Sequence, residues 1–141
     1  MTQTDEVRND MDLDPQPEPQ KEQRRDRVME EFEVLPDKPD AVQIEQWKQL
    51  YGEVSLVSLS EDEMYIFRPI RRLEWKTLRA NATDETSFQE AVVGKAVVWP
   101  QLTPTFNSSC RAGTIDTLFD LIMLNSNFLS PEMAIGLVRK L

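Results

Sequence analysis

Apolar positions change period along this chain. From Asp40 to Gly52 they recur at helical spacing: Ile44, Trp47, Leu50 and Tyr51 share one face. Asp40 is a suitable N-cap, with Gln43 in the capping-box position and Gly52 placed to stop the helix in a left-handed conformation. The period then shortens. Val54, Leu56 and Leu59, a polar stretch Ser60-Glu61-Asp62-Glu63, and Met64-Tyr65-Ile66-Phe67-Arg68 predict a β-hairpin, which Pro69 closes. Val57 interrupts strict alternation, so the pattern does not settle the register. A two-stranded hairpin is not stable alone in water, so it must lie on a helix or gain strands from elsewhere.

Helical spacing returns at Arg71 to Ala80. A further helix is expected from Thr83 or Asp84 to about Trp99, closed by Pro100. Its last part, Ala96-Val97-Val98-Trp99, is apolar all round, the mark of a central, buried helix. Gly94 inside it costs about 1 kcal/mol relative to alanine, which suggests close packing at that point. An irregular loop over 101–113 contains Cys110. Thr114 then caps a helix with Ile115, Leu118, Phe119, Ile122 and Met123 on a broad face, broken at Asn125-Ser126-Asn127. Ser130-Pro131-Glu132 is a helix start signal, and the expected last helix runs on to Leu141, with Arg139 and Lys140 complementing its dipole. Trp47 and Trp99 read as core residues.

Residues 1–39 show neither period. Asp14-Pro15-Gln16-Pro17-Glu18-Pro19 favours extended polyproline backbone, and Phe32 is the sole aromatic there. High charge with few apolar groups predicts disorder, with partial helix at most over 20–33, where Asp26 and Glu30 form a like-charge pair. The expected fold class is therefore α+β: a small β-hairpin packed on a mostly helical domain over 40–141, preceded by a disordered acidic N-terminal tail over 1–39.

Charge sharpens this division. Residues 1–40 hold 13 acids and 6 bases, a net of −7; residues 41–141 hold 12 acids and 10 bases, a net of −2, which together give −9. Such a balance disfavours phosphate backbones and anionic membranes, so neither nucleic acid nor a membrane is an expected partner. No apolar run approaches the ~20 residues that span a bilayer, and Met1 to Asp14 lacks the basic and apolar segments of a secretory signal. One cysteine cannot form an internal disulfide, and a cytoplasmic setting is expected.

Catalytic parts are missing. The chain has no histidine, one cysteine and four scattered glycines. The usual general base, the usual zinc ligands, a base beside the thiol and a phosphate-cradling loop are thus absent. Carboxylates alone could still support hydrolysis, but no pair stands out. The expectation is a protein that is not an enzyme and takes no cofactor or metal.

The densest feature is Tyr65-Ile66-Phe67-Arg68-Pro69-Ile70-Arg71-Arg72-Leu73-Glu74-Trp75, which sets three arginines beside large aromatics at a strand-to-helix junction. Arginine and aromatics are favoured at binding hot spots, and guanidinium groups pair with carboxylates in a bidentate manner. Tyr65, Phe67, Arg68, Arg71, Arg72 and Trp75 are the candidate partner-binding residues. The competing assignment makes the aromatics core and the arginines a solvated first turn. Positive charge at a helix N-terminus opposes the dipole, so an acidic group is expected to meet it.

Several segments also occur in a suggestive order: Trp47-Lys48-Gln49-Leu50-Tyr51-Gly52-Glu53-Val54; Tyr65-Ile66-Phe67-Arg68-Pro69-Ile70 leading into Arg72-Leu73-Glu74-Trp75-Lys76; Ala96-Val97-Val98-Trp99-Pro100; and Ala112-Gly113-Thr114-Ile115-Asp116-Thr117-Leu118. Across about 47–128 this resembles the tail-assembly chaperones and baseplate-hub assembly proteins of contractile-tailed bacteriophages. Trp75 stands where that pattern has tyrosine or phenylalanine, and the acidic tail lies outside it. The resemblance implies a non-enzymatic role in virion assembly in the host cytoplasm, with a tape-measure or baseplate-hub protein as partner. The alternative is a cytoplasmic adaptor that recruits its partner through the acidic tail, with Val28, Met29, Phe32 and Leu35 as anchors.

Overall fold

The structure, a computed structural model, describes residues 18–141. Expectations for residues 1–17, including most of the proline-alternating run, lie outside the described residues. The chain divides into two units, one ending at Lys38 and one beginning at Pro39.

In the first unit, α1 spans Glu18–Glu33. It is a continuous helix where the composition predicts a disordered tail with at most partial helix. Pro19 falls in the first turn, where a missing N–H costs nothing, and the stretch beyond it is rich in strong helix formers. After the helix, Lys38 pairs with Glu33 at 3.4 Å and stands over the Phe32 ring at 5.7 Å.

The second unit is mostly helical around a small antiparallel sheet. Its elements are α2 (Ala41–Tyr51), β1 (Ser55–Ser60), β2 (Glu63–Phe67), α3 (Arg72–Asn81), α4 (Glu85–Ala96), β3 (Val97–Trp99), α5 (Phe106–Ser109), α6 (Thr114–Asn125) and α7 (Pro131–Ile135). As predicted, the Asp40 carboxylate accepts the Gln43 N–H at 2.8 Å, and Gly52 closes α2 with φ of 91°. Leu50, expected on the apolar face of α2, is exposed, and Trp47 is half-buried.

The hairpin forms with Ser55 opposite Phe67, Leu56 opposite Ile66 and Val57 opposite Tyr65. Its third strand comes from the chain itself. Val97–Trp99, expected to finish a buried helix, leaves α4 and pairs with Ile66 and Phe67, giving the order β1-β2-β3. A short all-apolar run fits a buried strand as well as a buried helix, and here the unpaired edge of β2 decides between them. Trp99 is half-buried.

Alternation along β2 separates two faces. Tyr65 and Phe67 point into the main core with Ile70, Phe88, Val92, Val93, Ala96, Ile115, Leu118 and Ile122. Phe88, Val92 and Ala96 recur at four-residue spacing and present one face of α4 to α6, where Leu118 and Ile122 answer them. Met64 and Ile66, on the opposite face of the sheet, are buried too.

Polar bonds fix both ends of α6 to the hairpin. The Thr114 hydroxyl donates to Glu63 at 2.9 Å, and Tyr65 donates to the same carboxylate oxygen at 3.2 Å. Thr114 is thus the first residue of α6; Gly113, and not Thr114 as expected, is its cap. At the other end, the Ser126 hydroxyl accepts the Ile70 N–H at 2.8 Å and donates to the Ile122 carbonyl at 2.7 Å, while the Asn125 amide donates to Ser55 at 3.0 Å.

Two further expectations are corrected. A methyl group on Gly94 would have no atom within 4 Å, so this glycine serves no close approach. The last helix starts as predicted, with Ser130 accepting the Met133 N–H at 3.2 Å, but it stops at Ile135 instead of reaching Leu141. Residues 131–141 are all exposed, so no tertiary burial supplies what a short helix needs. Among the described residues no helix is long and apolar enough to cross a membrane.

Candidate functional site

The strand-to-helix junction is built around one carboxylate. Glu74, in the first turn of α3, accepts from both terminal nitrogens of Arg68, at 2.7 and 3.0 Å, and from the Arg71 backbone N–H at 3.0 Å. A single residue therefore pairs a buried guanidinium, satisfies an orphan N–H at the helix start and places negative charge at the positive end of the helix dipole. The Arg68 hydrogen bonds and charge hold the Glu74 carboxyl below its ordinary range, against the opposing effect of burial and with help from the Arg71 N–H and Lys95.

Arg68 itself is only 4 % exposed. It follows Met64 and Ile66 on the second face of the sheet, and its guanidinium lies 4.4 Å from the Tyr51 ring centroid. One terminal nitrogen also donates to the Pro69 carbonyl at 3.1 Å, while Nε is buried with no partner. The acid that the sequence leads one to expect near these arginines is, for Arg68, Glu74 of the same chain.

The candidate residues thus fall into two sets. Tyr65, Phe67 and Arg68 are buried, whereas Arg71 and Arg72 are exposed and Trp75 is half-buried. Burial also raises the Tyr65 phenol above its ordinary range, and the neighbouring Glu63 carboxylate adds to this. The outer set continues beyond the residues expected from sequence. Arg72, Trp75 and Arg79 recur on one face of α3, with the Arg72 and Arg79 guanidiniums 4.9 and 5.6 Å from the Trp75 ring. Arg79 also covers the Phe88 ring at 3.9 Å and pairs with Glu85 at 3.0 Å.

Phe128 lies 5.6 Å from Trp75, centroid to centroid, and is 43 % exposed. The result is a row of guanidinium and aromatic planes rising from the buried Phe88 to solvent. Among the described residues, neither Arg71 nor Arg72 has a carboxylate partner for its guanidinium. Arg79 was legible in the sequence as the i+7 neighbour of Arg72. Phe128 was not, because its position depends on how the chain turns after α6.

A separate shallow, polar cleft of about 380 Å³ lies beside the start of α6. It is bordered by Glu90, Asp116, Cys110 and Arg111 among others. Cys110 is half-buried, and Arg111 reaches Asp62 at 3.6 Å. Among the described residues no group of three carboxylate or thiol side chains is gathered closely enough to hold a metal ion.

No protein-family model, curated protein or solved structure matches this chain.

Proposed function

We propose that this protein is a non-enzymatic assembly chaperone or minor structural component of a contractile phage tail or baseplate. It would bind another tail protein, of tape-measure or baseplate-hub type, through the outer face of α3. The observation that carries this reading is the Arg72–Trp75–Arg79 row, with Phe128 beside it. Arginine stacked on a partly exposed tryptophan is a hot-spot composition, and the N–H edge of Arg72, without a carboxylate among the described residues, suits an acidic, aromatic-bearing partner segment. Charge agrees: residues 71–81 carry four bases and one acid, a local net of +3, on a chain of net −9. The ordered motifs over 47–128 support the choice of a phage tail.

Co-purification with the tape-measure and baseplate-hub proteins of the same phage tests this. The full chain should retain one of them, and the Arg72→Glu/Arg79→Glu double variant should lose it. Arg72→Ala alone should weaken binding while leaving stability within about 0.5 kcal/mol of the parent, as expected for an exposed side chain. A chain lacking residues 1–39 should bind normally. If that deletion abolishes binding while the α3 variants bind normally, the adaptor reading replaces this one. If no tail protein is retained, the phage-tail assignment fails.

A further inference from the structure

The two outer strands of the sheet are finished differently. β3 has three residues and runs directly into Pro100, which offers little to a further strand. β1 has six, Ser55-Leu56-Val57-Ser58-Leu59-Ser60, with no charge and no proline. Proteins usually blunt an outer strand with such residues, or with shortness or a bulge. The only irregularity in β1 is at its turn end, between Ser58 and Ser60.

Strand parity identifies the groups on the free edge. The Arg68 N–H donates to the Ala96 carbonyl at 3.0 Å, on the β3 side. Backbone direction alternates along a strand, so Tyr65 and Phe67 direct their main-chain groups toward β1. Their partners there are Val57 and Ser55. Leu56 and Ser58 must then turn N–H and C=O away from β2. Among the described residues, nothing hydrogen-bonds the main chain of either on that side.

Charge at the two ends narrows the occupant. Glu53 precedes the strand, and Glu61 and Asp62 follow it. A second copy of the chain, paired antiparallel with Leu56 opposite Ser58, would set Glu53 opposite Glu61 at both ends. Like charges placed opposite each other destabilise a sheet. A strand with basic residues at both ends would meet the same acids favourably.

We propose that the outer edge of β1 is a docking site for an extended segment of another protein, about seven uncharged residues long with Lys or Arg on each side. The main chain of Leu56 and Ser58 supplies the hydrogen bonds, and Glu53 and Glu61 select the flanks. This edge uses none of the residues of the α3 row and does not depend on the phage-tail reading.

Fluorescence anisotropy with the full chain and two labelled peptides, Lys-Thr-Val-Thr-Val-Thr-Val-Thr-Lys and its Glu-flanked counterpart, tests the proposal. The Lys-flanked peptide should bind about tenfold more tightly or better, and the Glu53→Lys/Glu61→Lys double variant should reverse that preference. Ser58→Pro removes an outward N–H without touching the ladder to β2, and should abolish binding. Amide exchange on the parent chain gives a second readout in case that variant does not fold. The bound peptide should slow Leu56 and Ser58 and leave Ser55 and Val57 unchanged. Equal binding of the two peptides, no saturation up to about 1 mM, or protection elsewhere would overturn the proposal. So would a chain that dimerises without peptide in a manner lost in Ser58→Pro.

Discussion

Arg68 and Arg72 stand four positions apart and meet opposite environments. The first continues the inward alternation of Met64 and Ile66, so it enters the protein with its charge and must be matched there by Glu74. The second opens α3 on the outer face and stacks on Trp75, leaving its N–H edge to solvent. A cluster of arginines in sequence is therefore not a cluster on the surface. Strand period carries one inward and helix period turns the next outward, and only the outward one is available to a partner.

The largest test of that contrast is Glu74→Ala. It strands a guanidinium in a buried site and should cost about 3 kcal/mol, read as a shift in the denaturation midpoint. Arg68→Met should cost clearly less. It removes the charge together with an Nε that has no partner, leaving the more exposed carboxylate to water. The reverse order would show that Arg68 contributes packing that methionine cannot replace.

Acid probes the same pair. Glu74 has a depressed folded-state pKa, so its contribution is complete above the ordinary glutamate value of ~4.3 and is lost as pH falls through the lower folded value. Stability of the parent should fall across that acid window, and Glu74→Gln should flatten this part of the profile. An unchanged profile would mean that the ion pair contributes little.

Ser126→Ala removes the acceptor for the Ile70 N–H, close to the junction, and should cost about 1–2 kcal/mol. The smallest effect is expected at an outward position on α4. Because a methyl on Gly94 meets open space, Gly94→Ala should stabilise by about 0.5–1 kcal/mol, seen as a small rise in Tm.

Local signals were the legible part of this fold. Asp40 with Gly52, Asp84 and Ser130-Pro131 announce helix ends through chemistry confined to one turn, and the hairpin follows from strand formers on both sides of a polar turn. What depends on a distant partner was not legible. Val97–Trp99 becomes a strand because β2 has an edge to offer, and its own apolar composition gives no period to reveal this. The segment after Ile135 carries helical spacing but finds nothing to pack on. At the candidate site, the alternation that buries Arg68 was visible in Met64-Tyr65-Ile66-Phe67-Arg68. Its partner Glu74 lies six residues on, across a turn whose course the sequence does not specify.

The bonds that fasten α6 to the hairpin span long stretches of chain: 51 residues from Glu63 to Thr114, 56 from Ile70 to Ser126 and 70 from Ser55 to Asn125. During synthesis the hairpin leaves the ribosome first, as two neighbouring strands with an incomplete sheet and no cover for Tyr65 and Phe67. β3 follows some thirty residues later, and the serine that holds Ile70 later still. At ~5–20 residues per second, the nascent sheet waits for seconds with apolar surface and open edges before residue 126 can clasp it. The protein is thus most exposed to mispairing in the interval between making its strands and making its last buried helix.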